Sequence, residues 1–172
     1  MKRFCDKIYN CNFSNDSEYG GCIPRPQKPG TPGDAFPKTE NEVIMLTFPA
    51  DMTVSQKQAF EKRYRQAAAS YFPMRVAYYH QFTGGTYSRI TIRGQHTRWG
   101  SCSSRGPLSF NWRLMMAPPK VLDYVVVHEL CHLKHMDHSR NFWNAVAEVM
   151  PDYKEQKKWL KEHGMELFVL DT

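Results

Sequence analysis

The sequence predicts an α+β fold, and three observations lead to this prediction. Helix-start signals and apolar residues at helical spacing occur at residues 53–71 and again from residue 119 onward. Residues 87–113, between these regions, carry the alternating patterns and turn residues that are typical of short strands. Because helices and strands are segregated along the chain, we expect a small antiparallel or mixed sheet packed on helices.

The chain is predicted to consist of a flexible N-terminal arm, residues 1–40, and one folded domain, residues 41–172. Asn, Ser, Asp and Gly are frequent in residues 10–21, and Pro and Gly dominate residues 24–33. Such a composition disfavours both helix and strand. The short apolar run at residues 43–48 is a candidate strand at the start of the domain.

The first helical region begins with a capping-box pattern. Thr53 is followed three residues later by Gln56, and apolar residues at helical spacing continue to about Tyr71. Proline is tolerated in the first turn of a helix. We therefore expect Pro73 to open a second, short helix that ends at Tyr79.

Three strands are predicted in the middle of the chain. A pair of glycines at residues 84–85 leads into residues 87–93, where apolar and polar side chains alternate. Residues 97–102 and 108–113 follow as two strands on either side of an Arg-Gly-Pro turn. The last two strands are therefore expected to form a hairpin.

Three helices are predicted in the last third of the chain. The first, at about residues 119–135, starts at a pair of prolines and continues into an apolar run. Ser139 is a suitable N-cap for the second, residues 140–150, which Pro151 ends. The third covers residues 152–164 and starts with a second capping-box pattern.

The helix at residues 119–135, here called the motif helix, carries the pattern H-E-x-x-H at His128, Glu129 and His132. Residues four apart lie about 40° apart around a helix, so both imidazoles can hold one metal ion. Glu129 lies about 100° from His128, within reach of a water on that ion. Imidazole ligands and a carboxylate base are the components of a zinc hydrolase.

The short pattern also fits a helix that carries two histidines by chance. Its surroundings favour the metal site, because Glu and His are costly to bury in an apolar segment without partners. Four of the seven histidines also lie between His128 and His138.

A catalytic zinc ion usually takes three protein ligands, and the third has three candidates. His138 follows His132 by six residues, the spacing found in metzincins, although His135 replaces their glycine and no Met-turn is evident. His135 itself lies on the right helical face, but about 10 Å along the axis from His128. Glu148 belongs to a later helix. His138 is the preferred candidate.

A longer ordered set of residues in the second half of the chain resembles a known family. Its stretches are residues 98–104, 111–114, 117–119, 123–133, 138–139, 142–143, 150–153 and 158–160. They resemble the YgjP-like metallopeptidase domain, a metal-dependent hydrolase family of the zincin type, over about residues 53–164. The resemblance implies a zincin-like metallohydrolase domain. It also implies His128, His132 and His138 as ligands and Glu129 as the catalytic residue.

Several accessory residues are predicted around this centre. The hairpin at residues 97–113 is a candidate for binding an extended peptide as an added strand. Candidates to stabilise an oxyanion are Arg98, Asn111 and Arg113, although pairing with a structural carboxylate is the favoured role of both arginines. Candidates to orient the ligating imidazoles are Asp123, Asp137 and Asp152. Trp99 and Trp112 are expected in the core, and Gly100 at a bulge or a close approach.

Hydropathy, cysteine content and net charge indicate where the protein acts and which kinds of partner it can bind. No run approaches the roughly 20 apolar residues of a membrane span, and no secretory signal is evident, so we expect a cytoplasmic protein. The five cysteines cannot all pair, and free thiols are expected. The net charge of +6 is modest and fits solvated helix faces, while it still permits an acidic or nucleic-acid partner.

The sequence therefore predicts a metallopeptidase with one Zn²⁺ per chain and a peptide or protein substrate. A metal-dependent nucleotide or phosphoanhydride hydrolase is an alternative, although no Gly-rich phosphate loop is present. A SprT-like protease that acts on DNA-associated proteins is another, although no DNA-binding motif is present. A purely structural zinc domain is disfavoured because it has no need for Glu129.

Overall fold

The computed structural model describes residues 52–103 and 106–171. Its elements in chain order are helix α1 (Val54–Thr83), strands β1 (Arg89–Arg93), β2 (Gly100–Cys102) and β3 (Pro107–Asn111), a 3-10 segment (Trp112–Met116), helices α2 (Pro119–Cys131), α3 (Arg140–Val149) and α4 (Tyr153–His163), and a second 3-10 segment (Gly164–Asp171). The predicted arm, the candidate strand at residues 43–48 and the cysteines of the arm lie outside the described residues.

The sheet has three strands in the order β1-β3-β2 and is mixed. β2 and β3 run antiparallel with Gly100 opposite Phe110, as expected for a hairpin. β1 runs parallel to β3 with Ile90 opposite Leu108. Within the described residues β2 pairs with β3 alone, so its other edge carries no strand. The predicted α+β class, with a small mixed sheet packed on the motif helix and flanking helices, is confirmed.

Helix α1 is longer than the sequence predicted. The capping box is present, because Thr53 and Gln56 bond each other's backbone N–H groups. The helix then continues through Pro73, so the prediction of a second helix beginning there was wrong. Phe72 and Val76 are both fully buried on either side of the proline. Packing of this continuous face outweighs the hydrogen bond that proline cannot make.

The motif helix α2 is shorter than predicted, ending at Cys131 instead of residue 135. His132 is its C-cap, and the next backbone bonds are tighter, with Leu133 N–H donating to the carbonyl of Leu130. The last helical turn thus tightens after Cys131 and closes at His135, whose N–H donates to the carbonyl of Cys131. The two following helices, α3 and α4, begin and end within one residue of their predicted limits.

The core lies between α1, the sheet and α2. Phe72 of α1 stacks on Phe110 of β3, with ring centroids 4.7 Å apart. Trp112, directly after β3, is fully buried, as predicted, and Trp99 is partly buried against the core. Each such side chain contributes about 1.5–3 kcal/mol when it leaves water. This packing fixes α2 against α1 on one side and β2 on another.

Two arginines, the half-buried Arg75 and the buried Arg113, tie distant parts of the chain together. Arg75 of α1 donates to both carboxylate oxygens of Asp123 on α2, at 2.7 and 2.6 Å. Arg113 donates to Asp171 and to the carbonyl of Gly94, and so holds the C-terminal 3-10 segment on the domain. That segment was not predicted from the sequence. No helix in the described part of the chain is both long and apolar enough to cross a membrane.

Candidate metal centre

Three imidazoles converge at the C-terminal end of α2. His128 lies in its last turn, His132 is its C-cap, and His138 belongs to the following loop. The Nε2 atoms of His132 and His138 each lie 3.2 Å from Nε2 of His128. The structure thus brings together the three residues that the sequence analysis preferred as ligands, the first two by helical spacing and the third by the loop.

The loop after α2 sets the orientation of His132. Its Nδ1 lies 2.9 Å from the carbonyl oxygen of His135. Because a carbonyl only accepts hydrogen bonds, this contact assigns the proton to Nδ1 and leaves Nε2 with a free lone pair. That lone pair points towards His128 and His138. A main-chain group thus performs the orienting role that was expected of a carboxylate.

The spacing of the three nitrogens fits a zinc ion. Ligand atoms of the three residues all lie within 4.8 Å of one another, and two of the separations are 3.2 Å. In a tetrahedral site with Zn–N bonds of 2.0–2.1 Å, ligand nitrogens are roughly 3.3 Å apart. Lone pairs facing each other at this distance repel unless a proton or cation lies between them. The donor set and its spacing therefore suit Zn²⁺.

The other two candidates for third ligand lie outside this cluster. His135 contributes its carbonyl to His132, and its ring is not part of the group. Glu148 is exposed on α3. Among the residues that the structure describes, His128, His132 and His138 are the only group of three or more His, Cys, Asp or Glu side chains with metal-ligand spacing.

Phe142 and Trp143, in the first turns of α3, form an aromatic wall behind the three imidazoles. Phe142 is fully buried and stacks on His132, with centroids 4.4 Å apart. The ring of Trp143 stacks on that of His138, with centroids 5.6 Å apart. The sequence analysis assigned neither residue a role, although both belong to the family-like set. Their position four and five residues after His138, about one helical turn, was the available signal.

Glu129 is buried directly beneath the edge strand β2. A Cβ atom built on Gly100 would lie 2.5 Å from Oε1 of Glu129, so only glycine allows this approach. The expected close approach at Gly100 is thus explained. Burial raises the pKa of Glu129 to about 8, and the nearby charge of Arg98 acts in the opposite direction. A base whose pKa lies near neutrality suits proton transfer.

His128 is held in its neutral form. Burial lowers its pKa to about 3, and His132, His138 and Lys157 act in the same direction. Its Nδ1 is buried and has no hydrogen-bond partner within the described residues. Neutral imidazole is the form that binds metal, so the environment of His128 favours ligation over protonation.

The three aspartates expected to orient the imidazoles do not contact them. Asp123 is occupied by Arg75 and Tyr79, and Asp152 by Lys120 and Gln156. Asp137 is exposed, and its bond with Ser139 lowers its pKa. Asp137 therefore bonds the loop residue Ser139 instead of an imidazole. The prediction failed because side-chain direction depends on how α2 packs, which spacing does not reveal.

Two of the three oxyanion candidates serve the scaffold. Arg113 is buried and paired with Asp171, as the structural reading of this residue predicted. Asn111 donates to the carbonyls of Gln95 and Arg98 and so shapes the approach to β2. Arg98 is exposed and close enough to Glu129 to influence its pKa. Only Arg98 thus faces the region where chemistry is expected.

The two described cysteines are free thiols. Burial raises the pKa of Cys102 to about 11, with Glu129 acting in the same direction. Burial likewise raises the pKa of Cys131 to about 11. Because a thiol must lose its proton to bind metal, neither competes with the histidines. Cys131 instead packs as a small core residue, as expected.

Comparison with known proteins places the chain in a family. Its similarity to the crystal structure of the metallopeptidase zymogen of Pyrococcus abyssi abylysin has 21% sequence identity and a TM-score of 0.48. That similarity covers 53% of this chain and 93% of the other. A comparison with curated proteins gave no significant match. Residues 28–163, more than half of the chain, match the family described as YgjP-like, metallopeptidase domain, so the chain belongs to this family, as its sequence resemblance predicted.

Proposed function

We propose that this chain is a zinc-dependent peptidase in which His128, His132 and His138 hold one Zn²⁺ and Glu129 is the general base. The observation that carries the proposal is the convergence of the three Nε2 atoms at the end of the helix on which the buried Glu129 directly follows His128. When bound, Zn²⁺ supplies the Lewis acid that polarises a scissile carbonyl and lowers the pKa of water from 15.7 to about 7. A peptide bond is the substrate that family membership favours.

Glu129 moves the protons in this mechanism. It follows His128 on α2, so its carboxylate lies on the neighbouring face of the helix, where it packs on Gly100. Its carboxylate accepts a proton from the attacking water and then donates it to the leaving amine. No group in the described part of the chain donates a hydrogen bond to this carboxylate, so it is free to accept the proton.

The edge of β2 is the proposed site for the substrate backbone. Its residues Gly100–Cys102 pair with β3 on one side and with no described strand on the other. An extended peptide can therefore add to the sheet through main-chain hydrogen bonds. Because Gly100 lies directly on Glu129, a peptide aligned along β2 passes beside the catalytic carboxylate.

The test of this proposal measures zinc and activity on the same preparations. Wild-type protein is reconstituted, its zinc content is determined by elemental analysis, and hydrolysis of an unfolded protein is compared with hydrolysis of nucleoside triphosphates. We expect one zinc per chain and cleavage of the unfolded protein. Cleavage of the nucleotides alone would replace the peptidase by a phosphoanhydride hydrolase, and absence of zinc after reconstitution would contradict both.

Two variants separate the candidate ligands. His138→Ala removes one of the converging nitrogens and should lose zinc. His135→Ala, three residues earlier, keeps the carbonyl that bonds His132 and should retain zinc. Zinc loss in His135→Ala together with zinc retention in His138→Ala would instead make His135 the ligand. Zinc retained in both variants would direct attention to Glu148.

A further inference from the structure

A lysine is held beside the metal centre by an aromatic ring. Nζ of Lys157 on α4 lies 4.0 Å from the centre of a Trp143 ring. The same tryptophan stacks on His138 at 5.6 Å, and Tyr153, one turn before Lys157, stacks on it at 5.4 Å. The distance from the ammonium to the His138 ring is therefore at most the sum of its distance to Trp143 and the distance from Trp143 to His138. This is about the length of three residues of extended peptide.

Two nearby lysines have carboxylate partners among the described residues, and Lys157 does not. Lys120 pairs with Asp152, and Lys158, the next residue on α4, pairs with Glu162. Within the described residues no carboxylate lies within ion-pair distance of Lys157, whose side chain is exposed. An aromatic face attracts the charge of an ammonium but does not use up its three N–H donors as hydrogen-bond acceptors would. Lys157 is thus placed by Trp143 and still has donors for an anion.

Lys157 lies over the same tryptophan that stacks on the proposed ligand His138. A positive charge held near a binding site attracts the anionic part of a ligand. Since Trp143 packs on His138, this charge lies on the α4 side of the centre, while β2 and Arg98 flank Glu129.

We infer that Lys157, positioned by Trp143, is a specificity residue that binds a substrate carboxylate within about three residues of the scissile bond. The inference rests on the proposed peptidase function and adds a substrate class to it. Two sources supply the carboxylate: an acidic side chain, or the C-terminus of the peptide. Both offer the planar, charged acceptor that an ammonium binds through charge-assisted hydrogen bonds.

The first measurement is binding without turnover. Zinc-loaded Glu129→Gln protein is titrated with three versions of one peptide: an amide-capped version with a central Gln, an amide-capped version with a central Glu, and a version with Gln and a free C-terminal carboxylate. We expect at least one carboxylate version to bind roughly tenfold tighter than the neutral one. Which version does so identifies the source of the carboxylate.

The second measurement introduces the variant Lys157→Glu in the same background. The preference for carboxylate should disappear and shift towards a version of the peptide with a central Lys, while Lys157→Arg should keep the original preference. Lys158→Glu makes the same charge change at the neighbouring position and should leave the preference unchanged. Zinc content is measured on every variant, so that loss of the centre is not mistaken for loss of recognition.

The outcomes distinguish this inference from the function on which it rests. Equal binding of neutral and carboxylate peptides, with wild-type cleavage of unfolded protein intact, would overturn the role of Lys157 alone. An equal loss of carboxylate preference in Lys157→Glu and Lys158→Glu would also overturn the role of Lys157, because the preference would then depend on the overall surface charge. Absence of peptide binding and of peptide cleavage would overturn both.

Discussion

Two buried carboxylates on the same helix have opposite environments. Asp123, near the start of α2, accepts two bonds from Arg75 and one from Tyr79, which oppose the rise of its pKa on burial. Glu129, six residues later, is equally buried but receives no hydrogen bond from the described residues, and its close neighbour is the backbone of Gly100. A hydrogen-bonded carboxylate stabilises the fold, whereas one without donors, on the helix that carries two of the three histidines, is a candidate for chemistry.

The largest expected effect is at the unsatisfied carboxylate. Glu129→Gln preserves shape but removes the base, so kcat for peptide cleavage should fall by about 10²–10⁴-fold. Zinc content and thermal stability should stay close to those of the wild type, since the carboxylate has no hydrogen bond to lose. Glu148→Gln on α3 is the control and should keep activity. Full activity of Glu129→Gln would assign the proton transfer elsewhere.

The satisfied carboxylate should show the reverse pattern. Asp123→Ala removes the carboxylate that accepts two bonds from the half-buried Arg75, and the free energy of unfolding should drop by about 1–3 kcal/mol. Urea unfolding measures this change, and zinc should still bind to the folded fraction. Asp152→Ala removes a more exposed ion pair with Lys120 and should cost below about 1 kcal/mol. Equal stability of the two variants would mean that the Asp123–Arg75 pair contributes no more to the fold than the exposed Asp152–Lys120 pair.

A smaller effect on catalysis is expected from one added methyl group. Gly100→Ala places a Cβ atom within 2.5 Å of Glu129, and the carboxylate must move. A displacement of this kind costs about 10²-fold in kcat, while the zinc ligands are untouched. The same methyl at Gly94 would lie 2.6 Å from the end of the Arg65 side chain and 2.9 Å from the buried indole nitrogen of Trp112, so it should lower stability but leave kcat of the folded protein near the wild-type value. Unchanged kcat in Gly100→Ala would mean that the position of Glu129 is not critical.

The smallest effect is a dependence of stability on pH that originates at the histidines. The pKa of His128 is about 3 in the fold and 6.5 ordinarily, so below pH 6.5 the unfolded chain binds a proton that the folded chain excludes. Stability of the zinc-free protein is thus complete above pH 6.5 and declines as the pH falls towards 3. Between pH 6.5 and 5.5 the decline should be about 1 kcal/mol.

Urea unfolding at several pH values, in the presence of a chelator, measures this decline. His128→Leu should flatten the dependence, and His163→Ala at the end of α4 should leave it as it is. A slope that persists in His128→Leu would place the responsible group elsewhere.

The features that depend on local spacing could be predicted from the sequence. Helical periodicity places His128 and His132 on one face with Glu129 beside them. Pro151 and Gly164 mark the ends of α3 and α4 as predicted, whereas Ser139 and Asp152 occupy the N-cap positions without a side-chain cap hydrogen bond. The turn between β2 and β3 likewise follows from Gly106, whose φ is +88°. Each of these depends on residues within one or two turns of each other.

Other features required the tertiary structure, because they join residues that are distant in sequence. The loop that returns His138 to the helix end, the continuation of α1 through Pro73, and the parallel pairing of β1 with β3 are outcomes of packing. So are the contact of Gly100 with Glu129 and the placement of Lys157 over Trp143. The sequence by itself thus determined which groups are proposed to carry the chemistry, and the fold decided which of them meet, since long-range contacts depend on how whole faces bury their apolar surface.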